Sequence, residues 1–306
     1  MRRVLPSTQA LTCFDAAARH ESYTRAAEEL FLTQSAVSRQ IAALEAFLGT
    51  ALFRRTRHGV ALTPAGLQYA RQVALRLQAL ERDTLDAMAH QGQGGALTLA
   101  AVPTFATRWL IPRLPAFAAL HPEIVVHLET RTRPFLFADT GFDAALYAGT
   151  PEQVAHWPGT QAHWLMHEDV VPVCSPKLLE AAERRGRGRA HQGVSPLQLA
   201  ELPLLQQSTR PYGWRQWFDA MGTPAPRALE GPRYELFSML AVAASHGLGV
   251  ALMPTMLIEA ELGRGELVLA SPQPLRGERG YYLVAPVQGN APALMEAFLP
   301  WLQAQV

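Results

Sequence analysis

Two rhythms divide the chain. Up to about residue 90 apolar positions recur at spacings of three and four, the period of amphipathic helices. From Leu97 onward short apolar runs alternate with helical stretches, the rhythm of α/β layers. In the first part Val37, Ile41, Leu44 and Leu48 form one stripe at i, i+4, i+7 and i+11, and Thr33 stands where an N-cap is needed. The spacing predicts a helix from Thr33 to Leu48 with Gln34, Ser35, Ser38 and Arg39 on its polar face, in the first turn and a half. Ser22 to Leu32 predicts a shorter helix before it, with Ala26 and Ala27 small enough for a close crossing and a tight turn at Phe31 to Thr33. Gly49 is a natural helix stop, and two short apolar runs around Arg57, His58 and Gly59 predict a hairpin.

Charge changes this picture from architecture to chemistry. Arg39 to Arg76 holds six arginines and a single acid, Glu45, a local net charge of +5 in a chain whose total is +1. An isolated basic run is most simply a solvated face. Here it coincides with a helix-turn-helix, a polar helix N-terminus and a hairpin, which together suit a polyanion. Gln and Arg can each make two hydrogen bonds to a base edge in the major groove, and a helix N-terminus favours a phosphate.

Pro64, after Thr63 as N-cap, opens a helical pattern running to about Ala89. Within it Ala70, Val73, Leu77, Leu80, Thr84 and Ala87 make the seam of a coiled coil. At 1.5 Å per residue such a helix spans roughly 40 Å, more than a winged helix needs, so its stripe wants a partner. Pairing with the same helix of a second copy is expected, in a homodimer or homotetramer; packing on the chain's own second part is the alternative. Gln91 to Gly95 reads as a Gly-rich hinge, beyond which residues 93–306 carry a net charge of −2. The expected division is therefore a winged helix-turn-helix over 1–62, a linker helix over 63–91 and an α/β domain over 92–306.

Residues 5 to 66 resemble the DNA-binding domain of LysR-type transcriptional regulators. The likeness lies in Phe14 to Ala17 and in the runs SYTRAAEEL (22–30), LTQSAVSRQ (32–40), ALEAFLG (43–49), LFRR (52–55) and LTPAG (62–66), with order and spacing kept. The later chain resembles that family as well. The resemblance implies that Gln34, Ser35 and Arg39 face base edges from a helix opened by Thr33, that Ser38 meets the backbone, and that Arg54, Arg55 and Arg57 of the wing meet the minor groove or phosphates. It implies a two-lobed fold like that of periplasmic solute-binding proteins. Lobe I would hold about 96–163 and 270–306, lobe II about 164–269, with crossings near 162–168 and 265–272.

In such folds ligands sit at the carboxyl ends of strands against helix N-termini. Pro103 and Thr104 follow one strand and open a helix; Gln206 and Ser208, and Phe237 and Ser238, repeat that setting; Thr130 and Arg131 end another strand and Tyr147 a fourth. Thr104 could equally cap its helix, Arg131 form a surface ion pair, and Tyr147 edge a core. The resemblance places an effector, a small anionic metabolite, at these positions. Glu183 to Ser195, with four arginines among glycines, reads as an enlarged solvated loop, or a contact for an acidic partner.

Other functions find little support. No G-x-S-x-G, H-E-x-x-H, phosphate-binding G-x-x-x-x-G-K or strand-following G-x-G-x-x-G is present, so neither an enzyme nor a cofactor is expected. Cys13 and Cys174 lack metal-site spacing and read as core residues. The N-terminus has no apolar leader region and no run reaches a membrane span, so a cytoplasmic protein is expected. The reading is a regulator whose partners are double-stranded promoter DNA, a small-molecule effector, further copies of itself and RNA polymerase. The alternative is an architectural DNA-binding protein or repressor whose C-terminal domain only oligomerises.

Overall fold

Hydroxyl side chains start the first three helices. In the computed structural model, which describes residues 4–56, 59–90, 95–185, 194–287 and 291–306, the Ser7 hydroxyl accepts from Ala10 N–H at 3.1 Å and opens α1 (Thr8–His20). Ser22 does the same for α2 (Tyr23–Glu29) and Thr33 for α3 (Gln34–Leu48), each satisfying an N–H that a helix end leaves unpaired. Gly49 ends α3 in the left-handed conformation, φ +66°, where a side chain would be strained. The wing pairs β1 (Phe53–Thr56) with β2 (Gly59–Leu62); its turn, Arg57 and His58, lies outside the described residues. Thr63 accepts from Gly66 N–H at 3.0 Å and opens α4 (Pro64–His90).

These elements share one core of Cys13, Phe14, Ala26, Val37, Ile41 and Leu44, with Ala26 and Ala27 at the close crossing as their size suggested. Glu45, the one acid of the basic stretch, is used internally. Its Oε1 accepts from the N–H groups of Leu52 (2.7 Å) and Phe53 (3.0 Å), tying the end of α3 to the wing. At Gly66 α4 passes so close to the preceding loop that a Cβ would lie 2.0 Å from the Leu52 carbonyl oxygen.

The second unit, Gly94–Val306, is an α/β body. In chain order it comprises β3 (Gly95–Ala101), α5 (Pro103–Phe105), α6 (Leu114–Leu120), β4 (Ile124–Thr130), β5 (Ala144–Gly149), α7 (Pro151–Ala155), β6 (Thr160–Cys174), α8 (Pro176–Arg185), α9 (Pro196–Ala200) and β7 (Leu204–Gln207). Then follow α10 (Gly213–Ala220), β8 (Arg233–Tyr234), α11 (Phe237–Ser245), β9 (Val250–Pro254), α12 (Glu259–Gly263), β10 (Val268–Leu269), β11 (Leu275–Pro286) and α13 (Pro292–Gln303). The sheet runs β4-β3-β5-β11-β6-β9-β7-β8, with β10 beside β6. β3 is parallel to β4 and β5, and β7 is parallel to β9 and β8. β11 and β6 are antiparallel to their neighbours and run through both lobes. Strand β3 is largely apolar, Thr98 apart, because both its faces are covered, Leu97, Leu99 and Ala101 on one side and Ala100 on the other.

Several elements differ from the sequence expectation. The helical stretch after β3 is not one continuous helix: a π turn (Ala106–Leu110) and a 3-10 turn (Ile111–Arg113) separate α5 from α6. Pro112 and Pro115 remove two donors that a continuous helix needs. Strand β6 is no short apolar run but continues from Thr160 to Cys174. In the β6/β11 ladder Arg276 pairs with Asp169 and Gly280 with His167, so Gly277, Glu278 and Arg279 lie opposite Glu168 alone. That bulge marks the passage between lobes. Ala270 and Leu275 pack beside Trp214 and Trp217. The Gly-rich stretch at 91–94 and most of the Arg-rich loop, 186–193, lie outside the described residues.

Candidate DNA-binding face and ligand crevice

Burial of Val37, Ile41 and Leu44 turns the other side of α3 outward. Gln34, Ser35 and Arg39 are exposed and Ser38 is half-buried, all within the first two turns. Among the described residues the side chains of Gln34, Ser38, Arg39 and Arg54 carry no hydrogen bond or ion pair. Thr33 is committed to its cap, its hydroxyl also lying 3.1 Å from that of Ser35. Arg54 and Arg55 project from β1, exposed, while Arg57 lies outside the described residues. The turn before α3 holds Phe31 in the left-handed region, φ +54°, and almost fully exposed.

Helix α4 departs from the expected seam. Ala70, Val73 and Leu77 pack on the first unit's own core together with Tyr69, whose ring lies 5.5 Å from that of Phe14. The first half of the stripe is therefore already covered within the unit, where a second copy had been expected to cover it. Leu75, Leu80, Leu85 and Met88 remain exposed further along.

In the second unit two adjoining cavities, of about 230 and 600 Å³, open between the lobes. They share Gln153, Gln207, Thr209, Arg210, Phe237 and Arg279. Glu168, at the bulge, is only 2% exposed and meets Arg210 through two hydrogen bonds of 2.6 Å, Nε to Oε1 and Nη2 to Oε2. Such a fork-to-fork pair is among the stronger polar contacts. Burial opposes the Arg210 charge, but the carboxylate of Glu168 more than offsets this and holds the guanidinium above its ordinary value. Arg210 also lies 4.9 Å from the centre of the Phe237 ring.

Arg279 is placed differently. Its Nη2 donates to the Ala148 carbonyl at 2.6 Å and its Nη1 to Gln153 Oε1 at 3.4 Å. Its Nε stands 3.5 Å from Glu168 Oε1, in ion-pair range, yet is buried without a hydrogen bond. Burial, then repulsion from Arg210, pushes this guanidinium below its ordinary value. Gln207 Oε1 is likewise buried with no hydrogen-bond partner among the described residues. Burial raises the hydroxyl of Tyr147, and that of Tyr281 far more, so both stay protonated at neutral pH.

Of the residues singled out in the sequence, Pro103, Thr104, Tyr147 and Phe237 line the smaller cavity. Thr104 is 5% exposed and does not cap its helix; Val102 holds that position. Its hydroxyl accepts instead from Ser238 N–H at 3.1 Å, joining the lobes. Gln206 borders the larger cavity, but its amide donates to the carbonyls of Ala228 (3.1 Å) and Glu230 (2.6 Å). Thr130, Arg131, Ser208 and Ser238 are not among the lining residues. Arg131 pairs with Glu129 at 3.1 Å and covers the Phe142 ring at 4.9 Å. Glu168, Arg210, Arg279 and Gln153 escaped the sequence reading, and Gln207 belonged to the flagged strand end without being singled out. Gln207, between Gln206 and Ser208, and Arg210, two residues beyond Ser208 on the same strand-end loop, were near enough to flagged positions to be found.

Among the described residues there is no cluster suited to a metal ion and no helix long and apolar enough to cross a membrane. Residues 8–67 match the family model of the bacterial regulatory helix-turn-helix protein, lysR family, and residues 90–306 match that of the LysR substrate binding domain. The chain is 35% identical over 305 residues to the glycine cleavage system transcriptional activator of Escherichia coli K12, covering 100% of this chain and 95% of that one. It is 35% identical over 297 residues to the HTH-type transcriptional activator AmpR of Rhodobacter capsulatus, covering 97% and 96%. The solved effector domain of AmpR from Pseudomonas aeruginosa has a TM-score of 0.58 at 30% identity, over 68% of this chain and 94% of that one. Full-length CbnR in complex with its target DNA has a TM-score of 0.72 over 98% and 100%, a likeness of fold at 20% identity.

Proposed function

The chain belongs to the LysR family of bacterial transcriptional regulators, and from that premise we propose that it reads promoter DNA with α3 and the wing under control of a small anionic effector held between its lobes. Residues 1–62 supply the DNA contacts, the helix within 63–91 joins subunits, and residues 92–306 sense the effector in the cytoplasm. The family consists of transcription regulators, not enzymes, and the crevice is read accordingly as a binding site. Thr33 positions the start of α3. Gln34, Ser35 and Arg39 address base edges, Ser38 the backbone, and Arg54, Arg55 and Arg57 the minor groove or phosphates. Members of the family self-associate, and the exposed Leu80, Leu85 and Met88 are the surface offered for this. RNA polymerase is the further partner through which an activator would work.

The observation that carries the effector reading is Arg279. A half-buried guanidinium with a buried, unsatisfied Nε, in a crevice that also holds the spare acceptor Gln207 Oε1, is a group waiting for an anion. Thr104 and Tyr147 stand beside it, while the Glu168–Arg210 pair keeps the crevice floor in place. The test is a thermal-shift screen against small organic acids, since a ligand at 100 times its Kd stabilises by about 2.7 kcal/mol. A binding acid should also change the affinity for a DNA fragment carrying the target promoter. An acid that shifts wild type and Arg279→Gln equally would remove Arg279 from the site.

A further inference from the structure

We propose that the crevice is built for a monoanion, and that Glu168 sets this limit by acting as a tethered internal counter-ion. The inference rests on the reading of the crevice as the effector site.

Two guanidiniums and one carboxylate meet at the passage between lobes: Arg210, Arg279 and Glu168. One positive charge is left over. It belongs to Arg279, because both oxygens of Glu168 are already taken by Arg210 at 2.6 Å. The other charges around the crevice do not alter this count. Arg276 is matched by Asp169 in an exposed pair, and Arg133, Glu235 and Glu278 are themselves exposed, where water and salt screen them. Glu168 is buried and the two guanidiniums are half-buried, so screening between these three is weaker than at the surface.

A monocarboxylate facing Arg279 Nε would neutralise the site. A dianion would bring a second negative charge toward Glu168, which cannot move away: it is 2% exposed, on a strand bonded on both edges, and pinned by Arg210. The further cation at the cavity, Arg133, is exposed, so water and salt screen it from that charge. A neutral isostere would leave Arg279 unmatched. The discrimination is therefore by charge number, with Glu168 as the determinant and Arg279 as the anchor.

The proposal is tested on the full chain with three compounds of similar size: propionate, malonate at a pH where both carboxyls are ionised, and propanamide. Binding is read by thermal shift and calorimetry at matched ionic strength. Wild type should prefer propionate. Glu168→Gln, which leaves two unmatched guanidiniums, should move the preference toward malonate by about tenfold or more. Arg279→Gln, which keeps the Glu168–Arg210 pair and makes the site neutral, should lose propionate and bind propanamide at least as well. If Glu168→Gln does not fold, the Arg279→Gln arm and the wild-type ratio of propionate to malonate still decide. Propionate binding that depends on Arg279, with malonate equal to it in wild type or the ratio unmoved by Glu168→Gln, overturns the role of Glu168 and leaves the anion site standing. Absence of propionate binding to wild type, or binding indifferent to Arg279→Gln, overturns both.

Discussion

Replacing Thr104 by valine isolates one bond that joins the two lobes. The side chain keeps its shape and its buried position at the start of α5 but no longer offers an acceptor to Ser238 N–H, 3.1 Å away. That N–H belongs to the first turn of α11 and has no acceptor within its own helix. Leaving such a part-buried donor unpaired costs about 1–3 kcal/mol. The chain holds six tryptophans, at 109, 157, 164, 214, 217 and 301, all in the second unit. Tryptophan fluorescence during urea unfolding therefore reports that unit alone. With a slope of about 3 kcal/mol per molar, a loss near 1.5 kcal/mol moves the midpoint down by roughly 0.5 M. Thr104→Ser restores the hydroxyl and should recover most of the shift. A valine variant as stable as wild type, or a serine variant no better than valine, would refute the claim that this bond holds the lobes.

Three further outcomes are expected. Arg39→Ala should weaken cognate DNA by about 1–3 kcal/mol with weak non-specific binding nearly intact; equal loss on random DNA at one salt concentration would make Arg39 a phosphate contact. Leu85→Asp, on the exposed stretch of α4, should give monomers by sedimentation with the first unit still folded, whereas an unchanged oligomer would move the subunit contact elsewhere. Gly66→Ala should unfold or badly loosen the first unit, by about 1–3 kcal/mol, because the new methyl meets the Leu52 carbonyl oxygen; the first unit has no tryptophan, so loss of helical ellipticity is the measure, and wild-type stability there would show the α4 contact to be pliable.

The DNA-binding face was legible because everything it needs is close in sequence. Thr33, Gly49 and Thr63 mark helix ends by their own backbone chemistry, and the stripe Val37, Ile41, Leu44 dictates which side of α3 stays outside. The crevice was legible only in outline. Strand ends before helices pointed to Thr104, Tyr147 and Phe237, but the charged trio comes from residues 168, 210 and 279, which the register of β6 with β11 and the loop after β7 bring together. No spacing rule links such positions. In β7 the same limit acts over a single residue. Gln206 turns its amide to the 228–230 loop and Gln207 lines both cavities, a choice of face that composition cannot make. The seam of α4 misled for a related reason: a 3-4 stripe shows that a face is covered, not by what, and Val73 and Leu77 proved to be covered by the unit's own core.

The position of the crevice makes effector binding and lobe arrangement one equilibrium. Arg279 sits in the three-residue bulge of β11 that faces Glu168 on β6, where both strands pass between lobes. Thr104 and Gln153 reach the cavities from lobe I, Gln207 and Arg210 from lobe II. Two more contacts tie the lobes directly, Thr104 to Ser238 and Arg108 to the buried Glu261 at 2.7 Å. A ligand spanning Arg279 and Gln207 must gain or lose contacts whenever the lobes shift, so it binds the two arrangements with different affinity. That difference is what a regulator requires, because a ligand of equal affinity for both states shifts neither, however tightly it binds. An anion held by the exposed Arg131 of lobe I alone would satisfy the chemistry and still leave the lobes as they were.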